Sequence, residues 1–151
     1  MTAQKLTPCL WFDGQAEEAA AFYVSIFPDS AVTKVTPGPG GKALVVEFRL
    51  AGVRFLALNG GPQFQFNEAI SLSIDCRSQA EVDELWAKLS AGGGAGQCGW
   101  LKDRYGLWWQ VVPSVLPQLL ADPAKAGRVM QALMGMTKLD IAALQAAADG
   151  K

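Results

Sequence analysis

One order of elements, strand then helix then strands, occurs twice in this chain at a spacing of about sixty residues, with little identity between the copies. In the first copy Lys5–Phe12 reads as a strand with an early proline, Asp13-Gly14 as a turn, and Gln15–Phe27 as a helix. Ala16, Ala19, Ala20, Phe22, Tyr23 and Ile26 recur there at helical steps, and Pro28 stops the run. Ser30–Thr36 reads as a short strand and Pro37–Gly41 as a turn or loop. Ala43–Leu50 alternates, with Leu44, Val46, Phe48 and Leu50 on one face and Val45, Glu47 and Arg49 on the other. Ala51-Gly52 turns the chain into a strand over Val53–Asn59, and a linker follows through Asn67.

The second copy opens with Ala69–Cys76, a strand placing Ile70, Leu72 and Ile74 on one face and Ala69, Ser71 and Ser73 on the other. Ser78–Ala91 is a helix with Ser78 as N-cap, Glu81 completing a capping box, and Leu85, Trp86 and Leu89 on its buried side. Gly92–Gly96 is expected to be a flexible connection. The copy closes in a hairpin: a strand over Gly99–Lys102, a turn at Asp103-Arg104-Tyr105-Gly106, and a strand over Leu107–Val112 ended by Pro113. The hairpin holds three of the chain's five tryptophans and one amide, Gln110, between apolar neighbours. Period two puts Trp108, Gln110 and Val112 on one face, and Leu107, Trp109 and Val111 toward the helix layer.

Beyond Pro113 the pattern becomes helical, over Leu116–Leu120, from Asp122-Pro123 to Met134, and over Asp140–Ala148. The organisation expected is a two-module domain over 1–113, with modules of about 1–60 and 68–113, and a helical extension over 114–151. The extension packs either on that domain or on a partner subunit.

The chain contains no histidine, which removes the commonest metal ligand and the commonest general base together. Catalysis by Ser-His-Asp or Cys-His is thereby excluded. Thirteen basic against fourteen acidic residues, with no basic run, argue against a nucleic-acid partner. No charged and apolar leader opens the chain, and no apolar run approaches the roughly 20 residues that span a bilayer. No membrane partner and a cytoplasmic location are the expectation. Cys9, Cys76 and Cys98 include no CxxC pair and read as small core residues, with Cys98 beside Trp100 the one best placed for a reactive thiol.

The repeated βαβββ pattern, the Phe22-Tyr23 pair in the first helix and the D-x-x-G of Asp103–Gly106 resemble the vicinal oxygen chelate superfamily, the fold of glyoxalase I and bleomycin-resistance proteins. Within it, Thr7–Tyr23, Phe55–Ser71, Cys98–Pro113 and the tail Leu119–Leu133 resemble the bacterial PhnB-like branch labelled 3-demethylubiquinone-9 3-methyltransferase-like. The resemblance implies an α+β fold in which two modules form curled mixed sheets, helices outside and ligand in the concave side, and it implies a homodimer. Metal-using relatives take ligands, usually His, Gln or Glu, from the first and last strand of each module. Carried across, those positions fall on Gln110, near Ala69, among Leu6–Pro8 where only Thr7 has an oxygen, and near Ala57 with Asn59 two residues on. Such a set does not suit a divalent ion, so neither metal nor other cofactor is expected. The methyltransferase label implies a Gly-rich turn between strand and helix, whereas Gly92–Gly96 follows a helix and leads into strand.

The ligand-binding candidates are Trp11, Asn59, Ser71, Ser73, Trp100, Trp108 and Gln110, as stacking surfaces and hydrogen-bonding groups in an apolar cup. Glu47 and Arg49 are the catalytic candidates, a base and an anion anchor if they face inward, a solvated pair if not. The linker Gln63–Asn67 is either a lid or a plain connector. Three functions fit: a metal-free small-molecule-binding protein, a metal-dependent lyase, dioxygenase or antibiotic-modifying enzyme, or a dimeric scaffold whose cup is filled by tryptophan.

Overall fold

The computed structural model describes residues 4–151. They form two compact units, the first ending at Phe66 and the second running Asn67–Lys151. The first contains β1 (Cys9–Phe12), α1 (Ala16–Ile26), β2 (Ala31–Pro37), β3 (Ala43–Leu50) and β4 (Val53–Asn59). The second contains β5 (Ser71–Cys76), α2 (Gln79–Ser90), β6 (Gly94–Ala95), β7 (Trp100–Lys102) and β8 (Trp108–Pro113), followed by α3 (Val115–Ala121), α4 (Pro123–Met134) and α5 (Ile141–Ala148).

Each unit holds one four-stranded mixed sheet, ordered β1-β4-β3-β2 in the first and β5-β8-β7-β6 in the second. The orders are equivalent, so the sequence repeat is a repeat of topology. In each, the opening strand pairs parallel with the last and the rest pair antiparallel. Both sheets are open and uncurled, against the expectation of curled ones. Four strands are about half the number that closes a small barrel.

In the first unit Ala16, Ala19, Ala20 and Tyr23 are fully buried, and these small residues let α1 lie close on the sheet. Phe48 and Phe55, direct neighbours across β3 and β4, stack at 5.5 Å beneath it. Val46, Phe48 and Leu50 are buried as the alternation requires, but Leu44, at the sheet's end, is exposed. The linker after β4 is strapped to β1. Trp11 Nε1 donates to the Gly61 carbonyl at 2.9 Å, the Phe64 ring meets Trp11 edge-on at 4.9 Å, and Phe66 meets Phe12 edge-on at 5.3 Å.

In the second unit α2 buries Val82, Leu85 and Leu89, while Trp86, expected inside, is only half-buried. Ser78 Oγ accepts from the Glu81 backbone N–H at 3.1 Å, but the Glu81 carboxylate takes the N–H of Arg77 rather than that of Ser78. β5 begins at Ser71, two residues later than expected, and Ile70 therefore lies outside it and is 65% exposed. The glycine run does not serve as a loose connection. Gly94 and Ala95 pair with Lys102 and Leu101 as β6, and a Cβ added at Gly93 would stand 2.0 Å from the Lys102 carbonyl oxygen. Glycine is required there because two backbones touch.

The three C-terminal helices pack into the second unit around Leu116, Leu119, Val129, Leu133, Leu139, Leu144 and Ala148. Main-chain bonds tie the loop after α4 to the hairpin, Cys98 N–H to the Met136 carbonyl at 2.8 Å and Gly99 N–H to that of Thr137 at 2.7 Å. The Gln79 side chain bonds Leu139 and Ile141 backbone atoms, and Arg128 donates to the last carbonyls of α5, satisfying its C-terminal end. Among the described residues no helix is long and apolar enough to cross a membrane.

Two outcomes follow from this packing. Gly93→Ala should lower the unfolding free energy by at least about 2 kcal/mol in chemical denaturation, because the methyl has no room beside Lys102. Cys76 is buried at the end of β5, and burial first, then the charges of Glu81 and Asp75, push its thiol up from 9.0 to about 12. The unfolded thiol then ionises before the folded one. Stability from this group is complete below pH 9.0 and is lost as pH rises to about 12, by at most about 1.4 kcal/mol per unit, a slope that Cys76→Ala removes.

Candidate functional site

Alternation along β8 buries Trp109 and Val111 beneath α2 and leaves Trp108, Gln110 and Val112 half-buried on the opposite, open face. The register fixes their neighbours. Ser71 lies beside Trp108 and Ser73 beside Gln110 on β5, while Trp100 pairs with Gln110 and Lys102 with Trp108 on β7. Gln110 Nε2 donates to Ser71 Oγ at 2.9 Å, and the rings of Trp100 and Trp108 lie 6.5 Å apart at 58°. Five expected residues, Ser71, Ser73, Trp100, Trp108 and Gln110, therefore share one face of one sheet. Trp108 has a fixed backing, for a Cβ at Gly96 would come within 3.1 Å of its ring.

The turn that holds this strand is built on Asp103, a carboxylate only 1% exposed. Its Oδ1 accepts the N–H groups of Tyr105 at 2.8 Å and Leu107 at 3.0 Å, and its Oδ2 accepts Trp109 Nε1 at 2.8 Å. Gly106, with φ of 90°, closes the turn by donating to the Asp103 carbonyl. Cys98, half-buried, packs against the apolar cluster of the C-terminal helices.

The remaining expected residues belong to the first unit, where the structure gives them local partners. Asn59 is spent on the backbone: its Oδ1 caps α1 by accepting Ala16 N–H at 2.9 Å, and its Nδ2 donates to the Ala43 carbonyl at 2.9 Å. Trp11 holds the linker through Gly61 and Phe64. Arg49 pairs with Asp29 at 3.3 Å at an exposed strand end, and Glu47 lies across from Lys34 on the open face of that sheet. Thr7 Oγ1 accepts from Arg54 at 3.0 Å, and Ala57 is fully buried on the core side. Ala69, near which the resemblance placed a ligand position, lies before the start of β5, and the group bonded to Gln110 is Ser71. Two residues of the open face were not singled out in the sequence, Lys102 and Asp75. Lys102 and Asp75 lie two residues along from Trp100 and Ser73, so period two alone was signal enough.

The groups around Gln110, namely Ser71, Ser73 and Trp100, are neutral. Among the described residues no three His, Cys, Asp or Glu side chains come together, and Gln110 is bonded to a hydroxyl. A divalent ion finds no set of charged ligands here among the described residues.

Two four-stranded mixed sheets of equivalent order, with a helical C-terminal end, define the glyoxalase/bleomycin-resistance fold of the vicinal oxygen chelate superfamily. The chain belongs to the family described as 3-demethylubiquinone-9 3-methyltransferase, whose pattern it matches over residues 4–112. The PhnB protein of Bacillus cereus, whose name carries the same description, is 30% identical, with a TM-score of 0.69 over 73% of this chain and 99% of that one. A protein of Pseudomonas aeruginosa shares the fold at 19% identity, with a TM-score of 0.60 over 74% of this chain and 98% of that one. So does the fosfomycin resistance protein FosX of Listeria monocytogenes, in complex with Mn(II) and sulfate, at 17% identity and a TM-score of 0.58 over 80% and 98%. No curated protein sequence matches the chain. The family match stops at Val112, so the tail segment Leu119–Leu133, expected to share it, lies beyond.

Asp103→Ala orphans three N–H groups at once. It should cost about 3 kcal/mol in unfolding free energy and blue-shift or broaden the tryptophan emission as Trp109 loses its anchor.

Proposed function

We propose that the protein binds a small neutral aromatic molecule, without a metal, on the open face of the second sheet. The observation that carries this reading is the Gln110–Ser71 hydrogen bond, 2.9 Å long, on the same sheet face as the neighbouring rings of Trp100 and Trp108. An amide held by a hydroxyl keeps further donor and acceptor capacity, and indole faces supply stacking area, the combination small-molecule sites use. Ser73, exposed beside Gln110, adds a hydroxyl. The family's methyltransferase name does not enter the mechanism. The glycine run leaves a helix and enters β6, the reverse of the strand, glycine turn and helix that seats a nucleotide cofactor. A homodimer completes the reading and rests on the family resemblance; sedimentation at micromolar concentration checks it.

Titration of tryptophan fluorescence with para-ethylphenol tests the site. Gln110→Ala should weaken binding about ten-fold, the loss of one well-placed hydrogen bond, while leaving the thermal midpoint within a few degrees. Equal binding by wild type and variant overturns the reading. Stoichiometric Mn, Fe, Ni or Zn in protein purified without chelator would favour a metal-dependent enzyme instead.

A further inference from the structure

The face that carries Gln110 is closed at one end. Val112 lies two residues beyond Gln110 on the same side of β8, about 7 Å along the strand, and its side chain packs against the apolar cluster of the C-terminal helices. Cys98, which leads into β7, packs on the same cluster and is held by the Met136 carbonyl at 2.8 Å. Cys98 and Gly99 both take positive φ, 59° and 85°, and a Cβ at Gly99 would stand 3.0 Å from the Leu139 side chain. At this end, therefore, the two strands on which Trp100 and Gln110 sit are abutted by the tail. At the other end Trp108 is followed across the pair by Lys102, which is exposed.

The family match stops at Val112, the residue where the wall begins. The helices behind Val112 thus lie outside the matched stretch. We infer that the C-terminal helices set the length of the ligand. With the hydrogen-bonding end of an aromatic ring at Gln110 and Ser71, a para substituent pointing along β8 meets Val112 and, behind it, Leu116, Leu119 and Leu139. The ligand class is a neutral aromatic molecule carrying a hydrogen-bonding group and a short apolar substituent. This inference rests on the open face being a binding site.

The test uses the full chain and a series of para-alkylphenols, from methyl to hexyl, read by tryptophan fluorescence. In the wild type, affinity rises over the first members and then falls as the chain meets the wall. In Val112→Ala the optimum moves to longer chains, and members excluded before gain about four-fold per methylene accommodated. Val112→Thr, nearly the same size, keeps the wild-type optimum. Val112→Ile, read in place of the alanine variant should that one fail to fold, moves it to shorter chains. Identical length profiles in wild type and Val112 variants, with Gln110→Ala weakening every member, overturn the wall and leave the site standing. A series that the wild type does not bind, or that Gln110→Ala binds unchanged, overturns both.

Discussion

The Asp103 carboxylate determines which face of β8 is which. It is buried, and a buried carboxylate is costly unless strong donors surround it. Here Tyr105 and Leu107 N–H and the Trp109 indole N–H supply them, at 2.8, 3.0 and 2.8 Å. The first two fix the turn, and the third reaches into the strand and pins Trp109 on the helix side. Because side chains alternate strictly, a slip of one residue would put Gln110 and Trp108 into the core and Trp109 and Val111 on the open face. Three bonds to one carboxylate exclude that slip. The chemistry of the open face therefore depends on a residue that does not lie on it.

Close packing completes the constraint from outside the turn. Gly93 lets the backbone of β6's approach lie against Lys102, Gly96 lets the Trp108 ring settle, and Gly99 admits Leu139. Each glycine marks a place where a second segment touches the hairpin, and each segment limits how the hairpin can move. The first unit uses a comparable device with other residues. Trp11 and Phe12 of β1 grip Phe64 and Phe66 of the linker, and Gly60 leaves space for the Trp11 ring.

Much of this architecture was legible from period and punctuation. The Ala-rich stripe of α1, the alternation of β3 and β8, the Asp122-Pro123 start of α4 and the repeated order of strands follow from spacing and cap chemistry. What escaped was tertiary. Nothing local distinguishes Gly92–Gly96 as a flexible hinge from the same glycines as a close contact, since the contact is with a segment further along the chain. Asn59 has the polarity of a ligand-binding residue, and only the packing of α1 shows both ends of its amide taken by backbone. The start of β5 was misplaced by two residues because Ala69 and Ile70 continue its alternation without pairing. The register pairs Ser71 with Trp108 and Ser73 with Gln110, which brings the Ser71 hydroxyl within 2.9 Å of the Gln110 amide.

The consequence of that pairing is chemical. A carboxylate or imidazole at such positions has a strong need for a cation or proton, and the free site is poised to take one. An amide bonded to a hydroxyl has no such need, because each group already satisfies part of the other. The pair's remaining capacity is for neutral donors and acceptors, whose energy in water is modest and whose value lies in direction. On the proposed reading, affinity on such a face comes from area, which Trp100, Trp108 and Val112 supply, and selectivity from where that area stops, at the helices of the tail.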